Sequence, residues 1–164
     1  NGLEASQGIL ILSALSIVTF LTGNSWLSVI ALCMVAALIA FYIFNKYPAK
    51  IFPGDTLTYP VGALIAVIAI LGNIEKIAVF FFIPYILETI LKLRGRLRKE
   101  SFAKLNKDGS LEMPYYKIYG LEHLAIKILK KIKPTKKVYE KEVVYLINGF
   151  QIIIILLGFA VFMI

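Results

Sequence analysis

Apolar residues and charges are segregated along this chain, and that segregation limits what it can fold into. Of 18 Lys and Arg, 15 fall between Lys92 and Lys141. Most of the rest is apolar blocks: 59% of the 164 residues are hydrophobic, and the mean hydropathy is +0.80. A soluble domain of this size has no use for so much apolar side chain. The pattern predicts an integral membrane protein with one sizeable aqueous loop.

The blocks read as five spans, at 8–21, 26–44, 59–71, 74–91 and 143–164. The first and third are short against the roughly 20 residues a full span needs, so their ends are expected to run into flanking polar residues. Loop charge then sets orientation. The 22–25 turn has no Lys or Arg, the 72–76 turn has one offset by Glu75, the 45–58 loop has two, and 92–142 has fifteen. The positive-inside rule therefore puts 1–7, 45–58 and 92–142 in the cytoplasm and the C-terminus outside. The expected fold is an all-α integral membrane protein of five transmembrane helices. Residues 1–93 supply four of them, 94–142 form a basic cytoplasmic loop, and 143–164 form the last. The polar, turn-forming start at Asn1 suggests that an N-terminal part of a longer protein is missing.

The basic loop carries its own signals. Phe102-Ala103-Lys104-Leu105-Asn106 and Ser110-Leu111-Glu112-Met113 flank Lys107-Asp108-Gly109, which reads as a β-hairpin. From Leu121 to Lys133, Leu121, Leu124, Ala125, Ile128 and Ile132 share one helical face, and Lys127, Lys130, Lys131 and Lys133 lie largely off it. This predicts a basic amphipathic helix on an anionic membrane surface.

Chemistry concentrates in the loop between the second and third spans. In Phe52-Pro53-Gly54-Asp55-Thr56, Asp55 is a carboxylate at the membrane boundary, able to hold Mg²⁺ on a diphosphate. Gly54 allows close backbone approach, and Phe52 offers a ring for a base to stack on. The same residues also make a Pro-Gly turn with Asp55 or Thr56 capping the third span. Asn1 has a donor and an acceptor suited to a uracil or amide edge, or it simply starts a helix. Arg98 and Lys99, in a cluster with Lys92, Arg94 and Arg96, are able to clamp phosphate or to anchor topology. Glu88 is expected to snorkel to the interface. One cysteine, Cys33, and one histidine, His123, rule out an intrachain disulfide and a multi-His or multi-Cys metal site. A metal would be held by oxygen, which favours Mg²⁺ or Mn²⁺.

Together, Asn1-Gly2-Leu3-Glu4-Ala5, Phe52-Pro53-Gly54-Asp55-Thr56, Lys104-Leu105-Asn106 and Gly109-Ser110-Leu111-Glu112-Met113 resemble the C-terminal half of a known enzyme family. It is the polyprenyl-phosphate N-acetylhexosamine-1-phosphate transferases, in the dolichyl-phosphate N-acetylglucosaminephosphotransferase branch. The resemblance implies transfer of N-acetylglucosamine-1-phosphate from UDP-GlcNAc to a dolichyl or other polyprenyl phosphate, with Mg²⁺, at a cytoplasmic site. It implies Asp55 as catalytic metal ligand, Phe52 as the uracil stacking partner, Asn1 as a uracil contact and Lys99, backed by Arg98, on the diphosphate. It implies residence in the cell membrane or endoplasmic reticulum, contact with the bilayer and no nucleic-acid partner; a homodimer is left open. The branch's Arg-His-Arg before the hairpin is replaced here by Lys99-Glu100-Ser101, and its paired aspartates lie upstream of Asn1, so this stretch alone is expected to be inactive. The Lys- and Ile-rich composition points to an archaeal source. The competing reading is a non-catalytic membrane module or transporter half with a lipid-binding basic loop. A transporter, however, places polar groups or broken helices at mid-membrane, and here the polar chemistry gathers at one face.

Overall fold

A computed structural model describes residues 1–100 and 102–162. Within them are seven helices and one two-stranded sheet: α1 (Leu3–Leu21), α2 (Ser25–Asn45), α3 (Asp55–Leu71), α4 (Glu75–Phe81), α5 (Ile83–Arg94), β1 (Lys104–Leu105), β2 (Leu111–Glu112), α6 (Leu121–Ile132) and α7 (Glu140–Phe162). The chain divides into two compact units. One holds Asn1–Phe82 with the chain from Gln151 onward, and the other is Ile83–Phe150.

In the first unit, α1 and α2 form an antiparallel hairpin. α1 ends on a Schellman motif: Gly23 takes φ 86°, and the N–H groups of Gly23 and Asn24 reach the carbonyls of Phe20 and Thr19. Ser16 Oγ and Ser28 Oγ then meet at 2.8 Å across the buried helix interface. Such pairs let small residues bring two apolar helices close without leaving a hydroxyl unsatisfied. Ile11, Leu12, Leu15 and Val18 of α1 pack with Leu27, Ala31 and Leu38 of α2, with Ile65 and Ile68 of α3, and with Phe81 of α4.

Among the described residues three helices, not five, are long and apolar enough to cross a membrane: α1, α2 and α7. The five-span expectation fails at its third and fourth members. α3 has 17 residues, which at about 1.5 Å per residue makes it about 26 Å long, short of a roughly 30 Å hydrocarbon core. The apolar run from 74 to 91 does not form one helix. It breaks at Phe82 into α4 and α5, because Pro84 has no N–H for the ladder and its ring crowds the preceding turn. Pro84 instead sits in the first turn of α5, where a missing N–H is harmless. Gln151 Nε2 donates to the Phe81 carbonyl at 3.0 Å, beside the break. α5 buries only Pro84 among its residues. At the start of the chain, α1 begins at Leu3, so most of the expected polar turn at 1–7 is helix. Met163 and Ile164, assigned to the last span, lie outside the described residues.

In the second unit the hairpin forms, with Lys104 opposite Glu112 and Leu105 opposite Leu111. Asp108 Oδ1 accepts from the Ser110 hydroxyl at 2.6 Å and Asp108 Oδ2 pairs with Lys137 at 2.8 Å, which together hold this carboxyl well below the usual range. Lys130 and Lys133 pair with Glu112 and Glu142, fastening α6 to the hairpin and to the start of α7.

Packing around Phe81 generates a test. A Cβ on Gly158 would stand 2.5 Å from Cε1 of Phe81, a ring with no exposure. Gly158→Ala is expected to cost about 1–3 kcal/mol by overpacking. Gly62, also helical, has nothing within 4 Å of such a Cβ, so Gly62→Ala is expected to stabilise by about 0.4–1 kcal/mol. Thermal unfolding of the two detergent-solubilised variants should shift in opposite directions.

Candidate functional site

Residues 46–54 join α2 to α3 without regular structure, so their backbone needs partners from elsewhere. The end of α2 supplies them. The Phe44 carbonyl accepts the Lys50 N–H at 2.8 Å. Asn45, fully buried, uses both ends of its amide: Nδ2 donates to the Ile51 carbonyl at 2.8 Å, and Oδ1 accepts the Gly2 N–H at 3.0 Å. One side chain therefore fixes the residue before Phe52 and the residue after Asn1. Gly2 has φ 82°, and a Cβ there would meet the Tyr42 ring at 3.0 Å, so the Asn1–Gly2 turn packs directly on α2. Sequence reasoning passed over Asn45. Its signal was available: a polar amide at the last position of an apolar helix, ahead of a loop with no ladder of its own.

The loop presents Phe52 with 70% of its surface exposed. Phe52, Pro53 and Gly54 form one side of an open cleft of about 370 Å³, whose other walls are Met34, Leu38 and Phe41 of α2 and Leu57, Pro60 and Val61 of α3. Asp55 begins α3 and is exposed. Gly54 is the N-cap residue and offers its carbonyl to the N–H groups of Leu57 and Thr58. No side-chain capping bond is made at this terminus, so neither Asp55 nor Thr56 performs the capping role open to it. Asp55 thus stands at the positive end of the α3 dipole, between Gly54 and Thr56, which line the cleft, while Asp55 itself does not. Among the described residues no three His, Cys, Asp or Glu side chains gather in a metal-binding group.

Asn1, Phe52, Gly54 and Asp55 belong to the first unit, and Arg98 and Lys99 to the second. Both cations are exposed and follow a tight turn at the end of α5, where Arg96 and Leu97 take φ 53° and 56°. Lys99 Nζ lies 4.8 Å from the centre of the Tyr115 ring, a cation–π contact. Ser101, in the stretch that departs from the Arg-His-Arg pattern, lies outside the described residues. Glu88 has partners of its own: Oε2 accepts the Leu121 N–H at 2.6 Å and Oε1 lies 3.6 Å from Lys92, so it caps α6. His123 is fully buried, its Nδ1 accepts the Tyr119 N–H at 3.3 Å, and burial pushes its pKa down, keeping the ring neutral.

Residues 1–73, which contain Asn1, Phe52, Gly54 and Asp55, match the family model described as glycosyl transferase family 4. Over these residues the chain is similar to glycosyl transferase family 4. A Saccharolobus solfataricus protein, provisionally named a UDP-N-acetylglucosamine–dolichyl-phosphate N-acetylglucosaminephosphotransferase, is 43% identical over 78% of this chain and 40% of its own length. A Sulfolobus acidocaldarius protein with the same provisional name is 31% identical over 96% of this chain and 46% of its own. A Streptococcus thermophilus phospho-N-acetylmuramoyl-pentapeptide-transferase is 35% identical over 54% of this chain and 26% of its own. The chain spans less than half the length of these family relatives.

The role of Asn45 is open to direct measurement. Asn45→Leu removes both amide bonds and leaves buried backbone groups unpaired, a loss of about 1–3 kcal/mol. Amide exchange across 46–52 is expected to quicken by about ten- to a hundredfold, with the α1–α2 core unchanged. Unaltered exchange in that loop would rule out the role.

Proposed function

We propose that this chain supplies part of an enzyme that transfers N-acetylglucosamine-1-phosphate from UDP-GlcNAc to a dolichyl or other polyprenyl phosphate. The observation carrying this reading is the run from Phe52 to Asp55, fixed by Asn45 at the end of an apolar helix, inside the segment that matches the family. The names of the Saccharolobus and Sulfolobus relatives support the same donor and acceptor.

In the reaction, an oxygen of the lipid phosphate bonds to the sugar-linked phosphorus of the donor. The diphosphate P–O bond breaks, and the leaving electron pair departs on UMP. Such a transfer needs alignment and charge neutralisation more than covalent help from the protein. Asp55 fits a role as one carboxylate ligand for Mg²⁺, an ion that takes one or two carboxylates and completes its shell with water and phosphate oxygens. When bound, the ion would neutralise charge on the diphosphate. Phe52 stacks on uracil, Gly54 lets the diphosphate approach the backbone at the start of α3, and Asn1 reads the uracil edge. Lys99, with Arg98 beside it, steadies the diphosphate. The site faces the cytoplasm, on the side that the Lys and Arg distribution favours.

Tests use the full-length protein, with labelled sugar phosphate moving from UDP-GlcNAc to dolichyl phosphate. Asp55→Asn should abolish transfer without loss of folded protein in membranes; near-normal turnover would exclude the metal role. Phe52→Ala should weaken UDP-GlcNAc binding by about ten- to a hundredfold, as expected for loss of a base stack, and Phe52→Tyr should be mild. Lys99→Ala should lose about ten- to a hundredfold in kcat/KM while Lys99→Arg keeps most of it. If Lys92→Ala and Lys99→Ala prove equally harmless, the basic cluster is only an anchor.

A further inference from the structure

α6 divides its residues between two sides in a way that the sequence pattern alone does not fix. The side turned into the second unit buries His123, Ala125 and Ile126. Leu124, Ile128 and Ile132 are 37%, 39% and 70% exposed, although they are among the most apolar residues of the helix. Spaced four apart, they form a stripe along the helix. Lys127 and Lys131, also four apart and exposed, run beside it. The lysines of this segment differ in their partners. Lys130 and Lys133 are tied up by Glu112 and Glu142, whereas Lys127 and Lys131 have no ion pair among the described residues. The free charge and the uncovered apolar surface therefore occur on the same side of α6.

We propose that this side of α6 docks on an anionic lipid surface, with Leu124, Ile128 and Ile132 in the headgroup–acyl boundary and Lys127 and Lys131 on lipid phosphates. An exposed apolar stripe by itself names no partner. The parallel row of unpaired lysines does, because it demands an anionic surface as long as the stripe, and lysine stems can lie along apolar surface while their ammonium groups reach phosphate. The tether allows it. Residues 133–139 join α6 to α7, which is long and apolar enough to cross a membrane, and so short a segment reaches at most about 25 Å. The helix is thus held near a bilayer whether or not it docks. Docking would leave its opposite side, and the hairpin fastened to it by Lys130 and Glu112, fixed relative to the membrane surface.

The experiment uses full-length protein with Cys33→Ser and a single spin label at Ile128→Cys, in nanodiscs of phosphatidylcholine alone or mixed with phosphatidylglycerol. A label at Tyr116→Cys, whose parent residue is fully exposed, gives the aqueous reference. In phosphatidylglycerol discs the 128 label should relax with lipid-soluble oxygen and be shielded from a water-soluble nickel reagent, unlike the label at 116. Each basic residue near an anionic surface contributes about 1 kcal/mol, so Lys127→Gln with Lys131→Gln should shift the docked-to-undocked ratio by about thirtyfold. Both positions are exposed and unpaired, so unchanged thermal unfolding of the double variant serves as the folding control; a shifted transition is replaced by reading the wild-type charge set against rising salt, which should undock it equally. Equal shielding at 128 in both disc compositions and in the double variant would overturn the proposal and assign the stripe to a protein partner. Full water access at 128 in phosphatidylglycerol discs would overturn it as well.

Discussion

The amide of Asn45 is the interaction on which the candidate site depends. A nine-residue connection, 46–54, leaves two helices without a ladder to satisfy its backbone, and buried peptide groups must find partners. Asn45 meets part of that demand at Ile51, and its other end takes the N–H of Gly2 at the start of α1. The pose of Phe52 and the placement of Asn1 therefore share one origin. The cleft behind Phe52 is walled by α2 and α3, so the loop is anchored to the helix that also forms its apolar floor. A charged or bulky residue at 45 could satisfy one of the two bonds but not both, since only a carboxamide combines a donor and an acceptor at that reach.

The break at Phe82 shows the same principle in an apolar setting. Where Pro84 interrupts the ladder, the Phe81 carbonyl takes a side-chain donor, Gln151 Nε2, from α7. Gly158, two turns further along α7, is what lets that helix come against the Phe81 ring. A helix interruption in an apolar region is tolerable only when the freed backbone groups are satisfied by neighbours. The outcome is a short α4 that packs in the core and an amphipathic α5 that does not, in place of one continuous span.

In the second unit, ion pairs surround a small apolar core of Ile126, Val138, Val143 and Val144. Lys130, Lys133 and Lys137 each hold a carboxylate from another element. Exposed pairs of this kind are individually weak. The Glu88 cap on α6 places a further carboxylate at the helix terminus that favours it.

Much of this protein was determined by sequence alone, wherever the signal was local. Segregated apolar blocks imply membrane helices, Gly23 stops α1, Asp108-Gly109 turns the hairpin, and the heptad-like spacing from Leu121 sets α6, because each depends on residues within a turn or two of one another. The run Phe52-Pro53-Gly54-Asp55-Thr56 was likewise legible as chemistry. The tertiary structure decided what depends on distant partners. The 74–91 run read as one span; the structure breaks it before Pro84, and Gln151, about seventy positions on, supplies the donor that satisfies Phe81. Glu88 read only as an interfacial acid, and its bond to the start of α6 needs the fold; Ala125, read onto the apolar stripe, is buried with His123 and Ile126. Asn45 gave a local hint, a polar amide closing an apolar helix, but not its partners. Its role exists only once Gly2 and Ile51 are brought to either end of its amide, and periodicity carries no information about a hydrogen bond that closes across forty-three residues.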